Sequence, residues 1–87
     1  MSQQDVMDAV RAAIAEPFDA DGNPKYCETF PGDTLSIDAA KKNIDEIVHA
    51  TLGATQSAYH VTQVKINHDN PNLTCDETGD KIIRRRS

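Results

Sequence analysis

This sequence of 87 residues is poor in several residue types that catalysis and ligand binding commonly use. It has no tryptophan, two tyrosines, two phenylalanines and four glycines, so it contains no glycine-rich phosphate loop. No apolar run reaches the about 20 residues of a transmembrane helix. The N-terminal MSQQDVMDAV also lacks the basic and then apolar order of a signal peptide. We therefore expect a cytoplasmic protein without a membrane partner.

Large apolar residues are also scarce. Leucine, isoleucine, valine and phenylalanine make up 17 of 87 residues, slightly below the one-fifth level under which highly charged chains tend to stay disordered. A fold is still predicted, but its core is small, and a second subunit would bury more apolar surface. We expect a homodimer. The two cysteines, Cys27 and Cys75, are expected to be reduced thiols because no export signal precedes them.

Positive charge is scarce until the end of the chain. Residues 1–80 carry 14 Asp and Glu against 5 Lys and Arg, whereas residues 81–87, KIIRRRS, carry four cations and no anion. The formal net charge of −5 argues against direct nucleic-acid binding, which needs a basic face. We interpret residues 1–87 as a single domain. Its basic C-terminal tail, residues 81–87, is predicted to neutralise the acidic body and to protect a sheet edge from pairing.

Apolar periodicity predicts two helices. Val6, Val10 and Ile14 recur every four residues, which indicates a helix over about residues 3–16, capped by Ser2 and ended by Pro17. A second helix is predicted to start at a Thr34 or Ser36 cap and to end at Gly53. Its apolar positions are Ile37, Ala40, Ile44, Ile47, Val48 and Leu52. Of these, Ile44, Ile47 and Val48 are expected to face the sheet.

The remaining segments predict strands. Residues 57–67, SAYHVTQVKIN, are rich in β-branched residues, and a change of phase between Val61 and Val64 indicates burial on both faces or a bulge. YCETF, residues 26–30, is at most a short edge strand or an ordered loop. LTC and KIIRR flank DETGD, which is typical of a hairpin. The predicted fold is α+β, with two helices on one face of an antiparallel sheet of about three strands.

Candidate reaction centres in the sequence are all weak. DADGN, residues 19–23, begins like a calcium loop, but Pro24 replaces the required glycine and Phe30 replaces the closing glutamate, so we interpret it as a polar turn. The three histidines and two cysteines have no metal-ligand spacing. Cys75 is surrounded by acids, which disfavours a thiolate nucleophile. Asp45 and Glu46 are helix neighbours that point apart. We therefore expect no enzyme and no catalytic, cofactor or metal site.

Part of the chain resembles a known family. NIDEIVHATL and AYHVTQVKI are similar to the second helix and first main strand of the Tctex-type dynein light chains, and CDETGDKIIRR resembles their next hairpin. The resemblance covers about half of the chain, without the family's aromatic-rich closing strands and with NHDNPN in place of its glycine-rich segment. It implies two helices on a strand-swapped antiparallel sheet, in a dimer that binds dynein intermediate chain and cargo peptides at its sheet edges.

The absence of reaction centres favours a small, acidic, non-catalytic module that binds another protein. The binding surface is predicted to be either the edge of the sheet or the acidic helix face. Its candidate residues are Tyr59, Val61, Gln63 and Lys65 on the strand, and Asp45 and Glu46 on the helix. One alternative is an inhibitor of phage type that mimics nucleic acid and acts on a nucleic-acid-binding protein. The other is a cargo adaptor like the Tctex-type light chains.

Overall fold

The computed structural model describes residues 3–68 and 70–82, which form an α+β fold as predicted. In chain order its elements are α1 (Gln3–Ala15), β1 (Lys25–Thr29), β2 (Thr34–Ser36), α2 (Ile37–Lys42), α3 (Ile44–Leu52) and β3 (Val61–Ile66). The strands form an antiparallel sheet in the order β2-β1-β3. None of the helices in the described ranges has the length and hydrophobicity that crossing a bilayer requires.

Helix α1 confirms the first predicted helix to within one residue at its end. Its buried side chains lie one helical turn apart, which places them on the side that contacts the sheet and the other helices. These side chains are Val6, Met7, Val10 and Ala13. The helix ends before Pro17 because the residue preceding a proline disfavours helical angles. Ser2, the predicted cap, lies outside the described residues.

Strand β1 corrects the prediction for residues 26–30. It is the central strand of the sheet rather than an edge strand, and its partner β2 was not predicted. The two strands are joined by a tight turn, in which the N–H of Thr29 donates to the carbonyl of Asp33 at 2.9 Å. Gly32 has a φ of +88° in this turn, a conformation that glycine adopts without steric cost. The segment PGD, residues 31–33, thus reverses the chain between β1 and β2.

The second predicted helix is interrupted at Asn43, which separates α2 from α3. The side-chain amide of Asn43 donates to the carbonyl of Ala39 at 2.9 Å, and its backbone N–H donates to the same oxygen at 3.1 Å. The backbone bond has the regular helical spacing of four residues, and the side-chain amide adds a second donor to the same carbonyl at the end of α2. Ser36 caps α2 as predicted, by accepting a hydrogen bond from the N–H of Ala39.

Strand β3 contains the bulge that the change of phase predicted. Glu28 lies opposite Gln63 whereas Thr29 lies opposite Val61, so Thr62 is an extra residue on β3. Because of this extra residue, Val61 lies on the helix-facing side of the sheet together with Val64, which is opposite Cys27. The strand itself is shorter than the predicted residues 57–67.

The predicted C-terminal hairpin does not contribute strands to the sheet. Its described part contains one isolated bridge, between Thr74 and Lys81, and residues 76–80 form the loop. This segment instead covers the outer edge of β2, because the N–H of Thr34 donates to the carboxylate of Asp76 at 2.7 Å and the N–H of Asp76 donates to the carbonyl of Thr34 at 2.8 Å. Residues 83–87, which contain the three arginines of the tail, lie outside the described residues. The predicted role of the tail therefore stays a prediction.

The core lies between the helices and one face of the sheet. Ile47 is fully buried there, and Ile44 and Val48 are half-buried and pack against the core. The three residues that were predicted to face inward therefore do so. Leu52, which the periodicity placed with them, is 45% exposed at the end of α3. The buried apolar residues are Val6, Met7, Val10, Ala13, Cys27, Leu35, Ile37, Ala39, Ala40, Ile47, Ala50, Val61, Cys75 and Ile82.

Candidate protein-binding surface

One face of the sheet is directed away from the core. Side chains alternate along a strand, and Cys27 and Thr29 are buried on the helix side, so Tyr26 and Glu28 lie on the opposite side. Tyr26 is paired with Lys65 and Glu28 with Gln63, which places these two residues of β3 on the same side. Gln63 and Lys65 are exposed.

The polar side chains of this face hold one another in place. The ammonium of Lys65 lies 3.0 Å from one carboxylate oxygen of Glu28, and the amide of Gln63 donates to the other oxygen at 2.9 Å. The hydrogen bond from Lys65 is the largest cause that lowers the pKa of Glu28, and the same bond raises the pKa of Lys65. Both residues therefore stay charged near neutral pH, and their charges cancel locally.

An aromatic pair extends this face beyond the end of β1. The rings of Phe30 and His60 are stacked, with centroids 5.9 Å apart and planes 8° apart. The N–H of Phe30 donates to the carbonyl of His60 at 2.8 Å, so the pairing of the two chain segments continues past the bulge. The ring of His60 is also held from its other side, because its Nδ1 lies 2.9 Å from the carbonyl oxygen of Thr55. Phe30 is nevertheless 51% exposed.

We call the set formed by these two groups the β3 face. It consists of Tyr26, Glu28, Phe30, His60, Gln63 and Lys65. It combines an exposed aromatic ring with polar side chains of fixed orientation, which is the composition of protein-binding surfaces. Gln63 and Lys65 were predicted to lie on a binding surface, whereas Phe30 and His60 were not. These two lie 30 positions apart in the chain, so no local motif joins them.

Two of the predicted strand residues lie elsewhere. The side chain of Val61 is 1% exposed and belongs to the core, which corrects its expected place on the binding surface. The bulge at Thr62 is the reason, since it moves Val61 to the inner side. Tyr59 is half-buried, and its hydroxyl donates to the carboxylate of Glu77 at 2.9 Å. That hydrogen bond is the largest cause that raises the pKa of Tyr59.

The predicted acidic helix residues are exposed in the first turn of α3. Glu46 is close enough to Tyr59 for its negative charge to contribute to the raised pKa of the phenol. It therefore belongs to a neighbourhood with Tyr59 and Glu77 rather than to the β3 face. Asp45 precedes it on the helix, where carboxylates near the N-terminus are stabilised by the helix dipole. The predicted binding role of both acids stays a prediction.

The DADGN segment is a self-contained turn, as interpreted from the sequence. The carboxylate of Asp19 accepts hydrogen bonds from the N–H of Asp21 at 2.9 Å and from the N–H of Asn23 at 2.8 Å. The bond from the backbone of Asn23 is the largest cause that lowers the pKa of Asp19. Over residues 3–68 and 70–82, no three His, Cys, Asp or Glu side chains are grouped so that they could hold a metal ion.

The sulfur of Cys75 contacts hydrogen-bond donors in addition to the acidic neighbours that the sequence places around it. Burial raises the pKa of its thiol, but hydrogen bonds from Ser36 and Thr78 to the sulfur outweigh burial, and the net pKa is lowered. The N–H of Ser36 lies 3.3 Å from the sulfur. Cys75 is buried, as is Cys27, and both are free thiols.

A pocket of about 160 Å³ lies at the other end of the molecule from Phe30. Its apolar wall includes Phe18 and Ile37, and its rim carries charges of both signs from two lysines and two aspartates. The described lining contains no histidine or cysteine, and its one hydroxyl side chain is that of Ser36, which also caps α2.

This chain matches no protein-family model, no curated protein and no solved structure. The resemblance to the Tctex-type dynein light chains and the adaptor function that it implies therefore remain predictions. The same holds for the nucleic-acid mimic, and the one carboxylate of the β3 face, Glu28, is already paired with Lys65.

Proposed function

We propose that this protein is a small non-catalytic module that binds another protein through the β3 face. The observation that carries this proposal is the position of Phe30, which is half-exposed and stacked on His60 beside ordered polar side chains. Exposing an aromatic ring to water is unfavourable, and a partner that covers Phe30 would recover that free energy.

The polar part of the β3 face supports the same proposal. Ordering free side chains on binding costs about 0.5–1.5 kcal/mol for each long side chain. Lys65 and Gln63 are already held by Glu28, so much of that ordering is complete before a partner arrives. Aromatic residues near the centre of an interface commonly dominate its affinity, with polar residues around them. Phe30 is the expected anchor, and Glu28, Gln63 and Lys65 are the expected rim.

Site-specific cross-linking in a lysate of the native host identifies the partner. A photoreactive phenylalanine derivative is placed at position 30 in one variant and at position 52 in another. Leu52 is the matched control, because it is an exposed apolar residue of similar accessibility that belongs to α3. We expect a cross-linked protein at position 30 that is absent at position 52.

The purified partner then tests the anchor directly. Phe30→Ala should weaken its binding by about 10- to 30-fold, as for an interface hot spot, whereas Leu52→Ala should change it less than about twofold. Equal effects of the two substitutions would refute the assignment of the β3 face.

A further inference from the structure

The outer edge of β3 carries backbone groups that no other strand uses in the described part of the chain. The N–H of Phe30 and the N–H of Asn67 both pair across the β1–β3 boundary, with His60 and Pro24 respectively. Residues at odd positions from Gln63 to Asn67 therefore direct their backbone groups toward β1. Val64 and Ile66 alternate with them and direct theirs away from the sheet.

The other edge of the sheet and the start of β3 are covered. The outer edge of β2 is covered by Asp76, to which both the N–H and the carbonyl of Thr34 bond. At the start of β3, the N–H of Val61 donates to the hydroxyl of Thr51 at 3.1 Å. In the described part of the chain, the uncovered outward groups are therefore those of Val64 and Ile66. Thr62 is the extra residue of the bulge, and its hydroxyl donates to the carbonyl of Glu28 on β1 at 3.0 Å.

Within residues 3–68 and 70–82, the stretch from Val64 to Ile66 lacks the usual protection against pairing with another strand. Edge strands commonly carry a free lysine, whose charge discourages the approach of a second sheet. Lys65 is at the appropriate position, but Glu28 neutralises it at 3.0 Å. Ile66 is 37% exposed beside it, and Val64 is half-buried, so the edge is also partly apolar.

We propose that a second copy of this chain pairs with the outer edge of β3, antiparallel and about a two-fold axis at Val64. This register places Val64 opposite its own copy, Gln63 opposite the second copy's Lys65, and Thr62 opposite the second copy's Ile66. The outward N–H and carbonyl of Val64 then form ladder hydrogen bonds with those of its copy, and the outward groups of Ile66 lie beside them. The two sheets become one continuous sheet, and the edge of each copy is no longer exposed.

Charge selects this register over its neighbour. Moving the axis by one residue would place Lys65 directly opposite Lys65 of the second copy, and like charges in that position destabilise a strand pair. Moving it toward the start of β3 would require the N–H of Val61, which Thr51 already occupies. With the axis at Val64, each lysine faces a neutral glutamine amide, which accepts a hydrogen bond through its oxygen.

Engineered cysteines test the register. Gln63→Cys and Lys65→Cys are made as separate proteins, and their mixture is oxidised at about 100 µM, a concentration at which micromolar dimers are populated. Opposed residues in a pair without mutual hydrogen bonds have Cα atoms about 4.5 Å apart, within the range for a disulfide. The native Cys27 and Cys75 are buried and do not compete.

We expect a disulfide-linked dimer in the mixture and little in either protein alone. Lys42→Cys, at an exposed position of α2, is the control and should not cross-link. A cross-link in Lys65→Cys alone would overturn the register, and a monomer in every oxidation would overturn the dimer.

Charge substitutions at Gln63 separate association from folding. Gln63→Lys places two lysines opposite each other across the interface but gives Glu28 a second cation within its own subunit. Association should weaken by roughly two- to thirtyfold from the two symmetric contacts, while the monomer is not destabilised. Gln63→Glu should strengthen association, because the new carboxylate faces Lys65 of the second copy. It should also destabilise the monomer, because that carboxylate lies beside Glu28 of its own subunit. If sedimentation shows equal dimer constants for both variants and the wild type, the proposed interface is wrong.

The salt dependence provides an independent measurement. Two copies that each carry a formal charge of −5 repel each other, and the interface contains no ion pair between copies. Raising the salt from about 0.15 M to about 1 M shortens the screening length from about 8 Å to about 3 Å and should strengthen the dimer. Gln63 and Lys65 belong both to this interface and to the rim of the β3 face, but Phe30 belongs only to the β3 face. Phe30→Ala should therefore leave the dimer constant unchanged, and a loss of partner binding without a loss of dimerisation identifies the β3 face.

Discussion

The hydroxyl of Thr51 joins the last turn of α3 to the first residue of β3, because it accepts a hydrogen bond from the N–H of Val61 at 3.1 Å. It also donates to the carbonyl of Tyr59 at 3.3 Å. Both Thr51 and Val61 are buried. These two bonds fix where β3 begins relative to the helix, and they remove one N–H from the outer edge of the sheet.

Replacing Thr51 with Val tests this connection. Valine has nearly the same shape but no hydroxyl, so the N–H of Val61 and the carbonyl of Tyr59 would be left without their partner. A buried unsatisfied polar group costs about 1–3 kcal/mol, which the free energy of unfolding should show. In Thr51→Ser the hydroxyl remains, and the amide of Val61 should keep its protection from hydrogen exchange. Unchanged protection of this amide in Thr51→Val would contradict the structure.

The core position of Ile47 gives a second prediction. Its side chain is fully buried between α3 and the sheet, so Ile47→Ala should lower the free energy of unfolding by about 2–5 kcal/mol. Leu52→Ala is the control on the same helix, with an expected change within about 0.5 kcal/mol because its side chain is largely exposed. Chemical denaturation measures both, and a smaller loss in Ile47→Ala than in Leu52→Ala would mean that α3 is rotated.

The buried thiol of Cys27 gives a prediction about alkaline pH. Burial raises the pKa of Cys27 from its ordinary value of 9.0 to about 12. Below pH 9 the thiol is neutral in both folded and unfolded chains, so it does not change stability with pH. Above that value the unfolded chain loses its proton first, and stability should fall by about 1.4 kcal/mol per pH unit until the folded pKa is reached.

The contribution of Cys27 is measured as the difference between the wild type and Cys27→Ala. The two stability curves should be parallel from about pH 7 to pH 8.5, the range below the ordinary pKa of the thiol. They should converge as the pH rises further, since alanine does not titrate. Curves that stay parallel up to about pH 10 would show that the thiol is accessible to solvent.

The sequence was sufficient for the elements that have strong periodicity. Helix α1, the inward position of Ile47 and the bulge of β3 all follow from the spacing of apolar residues, which reflects burial directly. Strand β2 was missed because it has only three residues, too few for a pattern. The break at Asn43 was missed because the apolar periodicity of Ile37, Ala40, Ile44 and Ile47 continues through it.

The candidate surface was predictable only in part, for a similar reason. Gln63 and Lys65 alternate with apolar residues on one strand, which indicates a polar face. The stacking of Phe30 on His60 depends on the pairing of β1 with β3 and on the turn after Thr29. An exposed phenylalanine beside the turn segment PGD was the one available signal, since a large apolar residue in a turn has no core to enter.

The last prediction concerns Asn67, which holds the C-terminal segment against the sheet. Its buried side-chain amide donates to the carbonyls of Asn70 and Ile82, at 2.8 and 2.7 Å, and its oxygen accepts from the N–H of Asn70 at 2.9 Å. Asn67→Ala would leave these groups unpaired, at a cost of about 1–3 kcal/mol. The cost should fall on residues 70–82 before it reaches β1 and β3, because this segment is attached to the sheet by few bonds.

Hydrogen exchange residue by residue distinguishes local from global loosening in Asn67→Ala. The amides of Cys75 and Ile82, which bond to Asp80 and Leu73 within the segment, should lose protection, while those of β1 should keep it. Asn72→Ala is the matched control, since Asn72 is exposed and donates to Asn70 through its backbone N–H, which the substitution retains. If the amides of β1 and of the segment lose protection together, the segment is an integral part of the core rather than an attached strap.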